Sequence, residues 1–152
     1  MIFDANFIEL INILNKKKAK YVLVGGMAVI IHGVNRTTKD MDLFYSGDLE
    51  NCRLVLESIN EFGFRYLNLT IDDLLDKSGY LQLGNEPVRI DLFCDLPGID
   101  FGTVYQKSVS YKEDDFEVMV IHINHLIRNK EEVGRFQDKW DVSKLKKLIK
   151  KK

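Results

Sequence analysis

A glycine pair that closes a short apolar run and is followed by two aspartates limits the possible folds of this chain most. The run is Tyr21–Val24, the glycines are Gly25 and Gly26, and the aspartates are Asp40 and Asp42. An apolar run stopped by glycines predicts a buried strand. Glycine lets backbone approach a ligand closely, and the start of the next helix offers unpaired N–H groups to an anion. The stretch therefore predicts a phosphate site where a strand ends; for the glycine pair alone, the alternative is a tight turn.

The two aspartates are expected to project from one face of a second strand, predicted over residues 39–45. Side chains alternate between faces in an extended chain, so Asp40 and Asp42 point the same way. A strand predicted over residues 88–94 carries a third carboxylate, Asp91. Hydrated Mg²⁺ takes one or two carboxylates plus phosphate oxygens, and three carboxylates suit two-metal phosphoryl chemistry. For Asp40 and Asp42 alone, the alternative is a surface strand with alternating aspartates.

The rest of the chain alternates between helical and extended patterns without repeats, low-complexity tracts or linkers. Periodicity and capping residues predict helices over residues 6–18, 27–32, 49–62, 71–77 and 100–107. Further strands are predicted over residues 64–69, 80–83, 109–111 and 116–121. We expect one domain over residues 1–152, with a core from about 20 to 123 and C-terminal helices from about 124 to 150 that are interrupted near Gly134.

The composition is that of an ordinary globular domain. Of the 152 residues, 45% are hydrophobic and 30% are charged, which argues against a disordered or fibrous chain. Apolar stretches are far shorter than the ~20 residues of a membrane span, and the start lacks the basic region of a secretion signal. Cys52 and Cys94 are isolated, which suits a reducing compartment. We therefore expect a cytoplasmic protein without a membrane partner.

The formal net charge of −1 gives no overall attraction to nucleic acid, but the lysines are clustered. One cluster covers residues 16–18, and a second consists of Lys144, Lys146, Lys147 and residues 150–152. Solvated helix faces explain both clusters, since surface lysines commonly serve solubility. Contact with RNA is the alternative.

The string GGMAVIIHGVNRTTKDMDLF, residues 25–44, resembles the signature of the nucleotidyltransferase superfamily, the fold shared by polymerase-β-like enzymes. That signature is a GG or GS pair followed by DxD. The HG and RxTxD elements are similar to those of the branch that contains AbiEii-type toxins and lincosamide or aminoglycoside nucleotidyltransferases. Residues 125–141 are similar to the basic, KDxxD-like helix that closes such domains. The resemblance covers roughly residues 20 to 145.

The resemblance implies an α+β nucleotidyltransferase fold, with a mixed β-sheet flanked by helices and a helical C-terminal region. It also implies that Gly25 and Gly26 hold the triphosphate of an NTP through backbone N–H groups. Asp40, Asp42 and Asp91 would ligate two Mg²⁺ ions, and Asp91 would help to deprotonate the attacking hydroxyl. Many relatives have serine at the position of Gly26, so this chain lacks one hydroxyl contact to phosphate.

Three cations are further candidates for binding the nucleotide. Arg36 precedes the acidic pair, where it contacts phosphate or the acceptor, or else makes a local bond. Lys130 and Lys139 approach the phosphates from the last helices, or else lie on a solvated helix face. Asp138 and Asp141 orient these lysines, or else form surface pairs at i, i+3 and i, i+4 spacings.

We expect a Mg²⁺-dependent nucleotidyltransferase that moves NMP from ATP or another NTP to a hydroxyl of an RNA, protein or small-molecule acceptor. The alternative is a catalytically idle binding or regulatory subunit, for example one half of a toxin–antitoxin pair. Because a chain of this length leaves little room for a separate acceptor-recognition domain, a homodimer or a partner protein is expected to supply that surface.

Overall fold

Six strands form one mixed β-sheet in the computed structural model, which describes residues 3–151. The strands are β1 (Tyr21–Val24), β2 (Met41–Tyr45), β3 (Leu81–Leu83), β4 (Ile90–Phe93), β5 (Val109–Glu113) and β6 (Phe116–Val120). Their order across the sheet is β3-β4-β2-β1-β6-β5. The strand β2, which follows the glycine stretch, therefore lies in the interior of the sheet.

The register of β2 with its two neighbours brings the predicted site together. β1 pairs with β2 in antiparallel fashion and places Val24 opposite Asp42. β2 pairs with β4 in parallel fashion and places Asp42 opposite Asp91. The end of β1, where Gly25 follows, thus lies beside Asp42, and Asp91 lies one strand further along the sheet.

Seven α-helices accompany the sheet in the described residues. They are α1 (Ala5–Lys16), α2 (Gly25–Ile31), α3 (Leu49–Ile59), α4 (Ile71–Leu75), α5 (Phe101–Gln106), α6 (Ile123–Val133) and α7 (Phe136–Lys150). Side chains of Asp4, Asp48, Thr70 and Asp100 cap the starts of α1, α3, α4 and α5. The prediction of a mixed sheet with flanking helices and a helical C-terminal region, broken at Gly134, is confirmed.

The strand predicted over residues 64–69 is wrong. This segment continues α3 as a π-helical turn (Asn60–Phe64) and then a 3-10 turn (Arg65–Leu67). Gly63 has a φ of 118°, which lets the chain change direction inside the turn. The rings of Phe62, Phe64 and Tyr66 then lie against one another, with centroids 5.5 and 5.8 Å apart. Aromatic contacts that are local in sequence replace the predicted strand pairing here.

The hydrophobic core lies between the sheet and its helices. α1 buries Phe7, Leu10, Ile11 and Leu14, the residues that its helical periodicity predicts. All four residues of β1 are buried, and so are the apolar residues of β2. Both cysteines are buried and free. None of the helices formed by residues 3–151 has the length and apolar character to cross a membrane.

Buried ion pairs join α6 and α7 to the loop that precedes β2. Lys130 on α6 is only 5% exposed, and its Nζ lies 2.8 Å from Asp141 Oδ2 and 3.2 Å from Asp138 Oδ1. Arg36 Nη1 donates to both oxygens of Asp141, at 2.8 and 2.7 Å. Because the carboxylates of Asp138 and Asp141 are buried too, each of these charges depends on its partners.

Removing the charge of Asp141 is expected to destabilise the fold strongly. Asp141→Asn leaves two partly uncompensated cations, Lys130 and Arg36, which should cost roughly 3 kcal/mol in the free energy of unfolding. The control is Glu131→Gln, which breaks an exposed pair with Lys146 and should cost less than about 1 kcal/mol. Urea denaturation measures both. Equal costs for the two variants would contradict a structural role of the buried ion pairs.

Candidate active site

Three carboxylates meet where β2 and β4 begin. Asp42 and Asp91 are register partners on these adjacent parallel strands, and Asp40 lies just before β2. Asp91 is buried, with 6% of its surface exposed, while Asp40 and Asp42 are half-buried. The sequence predicted the face on which each carboxylate lies, and the pairing of β2 with β4 makes them neighbours.

The proximity of these charges changes their protonation. Burial, followed by the negative charges of Asp91 and Asp40, raises the pKa of Asp42 to about 7, although Lys130 and Arg135 oppose this shift. Burial and the neighbouring Glu86 carboxyl raise the pKa of Asp40. Asp40 Oδ1 is buried and accepts no hydrogen bond from any described residue. Nearby cations therefore compensate the negative charge of Asp40 and Asp42 only in part.

Arg89 supplies part of this compensating positive charge. Its Nε lies 3.0 Å from Asp91 Oδ1, its Nη2 lies 3.1 Å from Asp91 Oδ2, and its Nε is 3.9 Å from Asp40 Oδ2. Both oxygens of Asp91 are thus already bonded. Arg89 lies two residues before Asp91, so alternation along an extended chain puts both on one face, but the sequence did not predict that the two would pair.

The three carboxylates have the chemistry that a hard divalent cation requires, but their present arrangement is not that of a metal site. Among residues 3–151, no group of three or more His, Cys, Asp or Glu side chains is placed so that it could hold a metal ion. Carboxylate oxygens are the ligands that Mg²⁺ prefers, and the unbonded Asp40 Oδ1 is one such oxygen. Ligation through Asp91 requires that Arg89 release at least one of its two hydrogen bonds. The metal roles of the three aspartates stay a prediction.

Gly25 packs directly against the acidic cluster. It has a φ of 68°, a left-handed conformation that disfavours residues with a side chain. A Cβ atom at this position would also overlap Asp42 Oδ2. The residue before it, Val24, is the N-cap of α2 and makes no side-chain capping hydrogen bond. Only glycine satisfies both the backbone and the space at residue 25.

Gly26 faces two side chains from the loop that precedes β2. A Cβ atom on Gly26 would lie 2.7 Å from Thr38 Oγ1 and 3.1 Å from Arg36 Nη2. The volume that a serine side chain would occupy is therefore filled by a threonine hydroxyl and a guanidinium. Thr38 is the threonine of the RxTxD element, but the sequence did not indicate it as a phosphate ligand.

The predicted cations have different environments. Arg36 is fixed by Asp141, and its Nη2 is directed at Gly26. Lys130 is buried, and its charge opposes the rise in the pKa of Asp42. Lys139 is exposed on α7, as the alternative of a solvated helix face predicts. Arg135, which the sequence did not indicate as a ligand, also acts on Asp42 and donates from Nε to Asp138 Oδ2 at 2.8 Å.

Several solved structures resemble this fold, and two of them illustrate the likeness. A lincosamide antibiotic adenylyltransferase, LnuA, in its lincomycin-bound form, has a TM-score of 0.57 and 13% identity over 97% of this chain and 98% of its own. An antigenic nucleotidyltransferase-like protein from Paracoccidioides brasiliensis has a TM-score of 0.56 and 15% identity over 94% of this chain and 73% of its own. No protein-family model and no curated protein sequence matched the chain. The chain therefore has the fold of these nucleotidyltransferases, and the predicted resemblance is confirmed at the level of fold.

A side chain at residue 25 is expected to move the Asp42 carboxylate. Gly25→Ala should cost about 1–2 kcal/mol in the free energy of unfolding, because the backbone at residue 25 is left-handed. The control is Gly63→Ala, which should cost a similar amount for the same reason but has no atom within 4 Å of the added Cβ. Only Gly25→Ala should also lower the pKa of Asp42, because it pushes the carboxylate away from its acidic neighbours. Carboxyl NMR titration measures this shift. An unchanged Asp42 pKa in Gly25→Ala would contradict the contact.

Without metal, the acidic cluster should make stability fall as pH rises. Asp42 keeps its proton up to about pH 7 in the folded protein but loses it near pH 4 when unfolded. The proton-linked stabilisation is complete below about pH 4 and disappears as pH rises through 7. Urea denaturation in EDTA should show wild type losing at least ~1 kcal/mol more than Asp42→Asn between pH 5 and pH 8. Parallel pH profiles for the two proteins would disprove the coupling.

Proposed function

We propose that this chain is a Mg²⁺-dependent nucleotidyltransferase, which moves NMP from an NTP to an acceptor hydroxyl and releases pyrophosphate. The observation that carries the proposal is the register of Asp42 with Asp91 on adjacent strands, directly beside the turn at Gly25. The nucleotidyltransferase fold supports it, and the likeness to a lincosamide adenylyltransferase supports AMP as the transferred group.

The glycine turn and the loop before β2 would bind the triphosphate. Backbone N–H groups at Gly25 and Gly26 are available because no side chain caps α2. Arg36 Nη2 and the Thr38 hydroxyl face the same space above Gly26. Since Arg36 is already fixed by Asp141, it loses little side-chain freedom on binding phosphate. These groups would orient the α-phosphorus toward the acceptor.

Asp40, Asp42 and Asp91 would hold two Mg²⁺ ions, which neutralise charge on the triphosphate and on the departing pyrophosphate. The acceptor oxygen would bond to the α-phosphorus. The bond between the α-phosphorus and the oxygen that bridges it to the β-phosphorus would break, and pyrophosphate would leave with that oxygen. The hydroxyl proton passes to the Asp91 carboxylate once Arg89 has released one of its oxygens. The acceptor is an RNA, a protein or a small molecule.

Nucleotide binding that requires metal is the direct test. By calorimetry, wild type should bind ATP or another NTP with Mg²⁺ and not in EDTA, and Asp42→Asn should bind at least tenfold more weakly because a ligand carboxylate is lost. The control is Asp114→Asn, a substitution in the exposed turn between β5 and β6, where asparagine tolerates the φ of 53°. If wild type binds none of the four NTPs with Mg²⁺ or Mn²⁺, the proposal fails.

A second candidate is a catalytically idle binding or regulatory subunit, as in a toxin–antitoxin pair. The bidentate pair of Arg89 with Asp91 favours it, because a permanent internal cation makes metal unnecessary. Size-exclusion mass measurement and transfer from α-labelled NTP distinguish the two functions. A stable heteromer without label transfer would favour the idle subunit, whereas labelled acceptor would exclude it.

A further inference from the structure

A groove runs along α7 beside the loop that precedes β2. Its first part is a cavity of about 470 Å³ between this loop and the first turns of α7, lined by Asn35, Arg36, Thr37, Phe136, Gln137 and Trp140. Its second part, about 360 Å³, shares Asn35 and Trp140 and continues along Lys144, Lys147 and Lys151. Because both parts border Asn35 and Trp140, we call them together the α7 groove.

The aromatic side chains of the α7 groove are unusually accessible. Phe136 is 91% exposed and Trp140 is 38% exposed. They lie four residues apart on α7 and therefore on one face of the helix. Large apolar rings left open beside polar walls are typical of binding surfaces. Their flat faces suit a planar partner such as a nucleobase.

The charged side chains of the α7 groove are all positive. Neither cavity is lined by any Asp or Glu, and Lys144, Lys147 and Lys151 make no ion pair with a described residue. Lys144 Nζ lies 5.3 Å from the centroid of the Trp140 ring, so charge and stacking surface are adjacent. From Trp140 to Lys151 the helix rises roughly 16 Å, which is long enough for more than one phosphate of a strand.

Lys146 is a lysine of α7 that lies outside the groove. It lies between Lys144 and Lys147 in sequence but lines neither cavity, and its Nζ pairs with Glu131 Oε2 at 3.2 Å. Lys139 and Lys150 on α7 also line neither cavity. The groove lysines are therefore distinguished by their position beside Trp140, and Lys146 provides a paired lysine of the same helix for comparison.

We propose that the α7 groove binds a single strand of nucleic acid, with a base against Phe136 and Trp140 and the phosphates along the lysines. Stacking surfaces combined with a basic groove are the general means of binding single strands. An acidic peptide would satisfy the lysines but would leave both rings without a planar partner. Single-stranded nucleic acid is the occupant that uses both features.

The position of the groove makes this strand the acceptor. Arg36 lines the first cavity and also directs Nη2 at Gly26, so the groove opens beside the residues that would hold the triphosphate. A terminal nucleotide stacked at Phe136 would bring its hydroxyl toward the carboxylates. This part of the inference rests on the proposed function, whereas strand binding itself does not.

Strand binding is measured without NTP or metal. Trp140 is the only tryptophan, so its fluorescence should be quenched on titration with an RNA strand of about eight adenosines. Affinity should fall steeply between 50 and 200 mM salt because phosphate contacts release counterions. Phe136→Ala, and separately the pair Lys144→Gln with Lys147→Gln, should each weaken binding at least fivefold. The matched control Lys146→Gln should stay within about twofold. All four side chains lie at least partly at the surface, so these variants keep the fold.

Three results would overturn strand binding: no quenching by RNA, equal losses of affinity for Lys146→Gln and for the groove lysine pair, or an oligoglutamate peptide of equal length binding as tightly.

Label transfer then tests the acceptor role separately. Phe136→Ala should lower transfer from α-labelled NTP to the RNA strand while NTP binding by calorimetry stays unchanged. RNA that binds but accepts no label, from a protein that binds NTP with Mg²⁺, would overturn the acceptor role alone. If wild type binds no NTP with divalent metal, the proposed function is refuted, but strand binding is not affected.

Discussion

The repulsion between Asp42 and Asp91 is the interaction on which the rest of the site depends. Parallel pairing of β2 with β4 places the two carboxylates side by side, and burial strengthens their interaction by excluding water. The fold tolerates this repulsion because cations act on both carboxylates. Arg89, just before β4, bonds Asp91, and the charges of Lys130 and Arg135 from the C-terminal helices act on Asp42. Partial neutralisation leaves the cluster stable without metal and still short of positive charge.

The C-terminal helices are held by a second set of charges of alternating sign. Lys130 pairs with Asp138 and Asp141, and Asp141 in turn fixes Arg36 in the loop before β2. Burial alone would raise the pKa of Asp138, but hydrogen bonding from Arg135 and the charge of Lys130 bring it below its usual value. The same contacts that stabilise the packing of α6 and α7 therefore set the position of Arg36, which is shared by the glycine turn and the α7 groove.

Sequence reasoning predicted what depends on local periodicity and missed what depends on which elements meet. Alternation along two strands was sufficient to place Asp42 and Asp91 on definable faces, because that pattern has a period of two. It could not reveal that Arg89 would bond both oxygens of Asp91. Orientation of Lys130 by Asp138 and Asp141 was one of the two alternatives, and the structure shows these pairs. The burial of Lys130 was not predicted, since it depends on how α6 packs against α7. The predicted strand over residues 64–69 failed because aromatic contacts within that segment outweighed its extended pattern.

The absence of serine at residue 26 weighs less against catalysis than its sequence context suggests. Thr38 Oγ1 and Arg36 Nη2 occupy the volume that a side chain on Gly26 would need, so a serine there would have to displace them. A hydroxyl and a guanidinium thus face the proposed phosphate position from the neighbouring loop instead of from the helix. What separates an active transferase from an idle subunit is consequently not Gly26. It is whether Arg89 yields the oxygens of Asp91 when a divalent cation and a triphosphate arrive together.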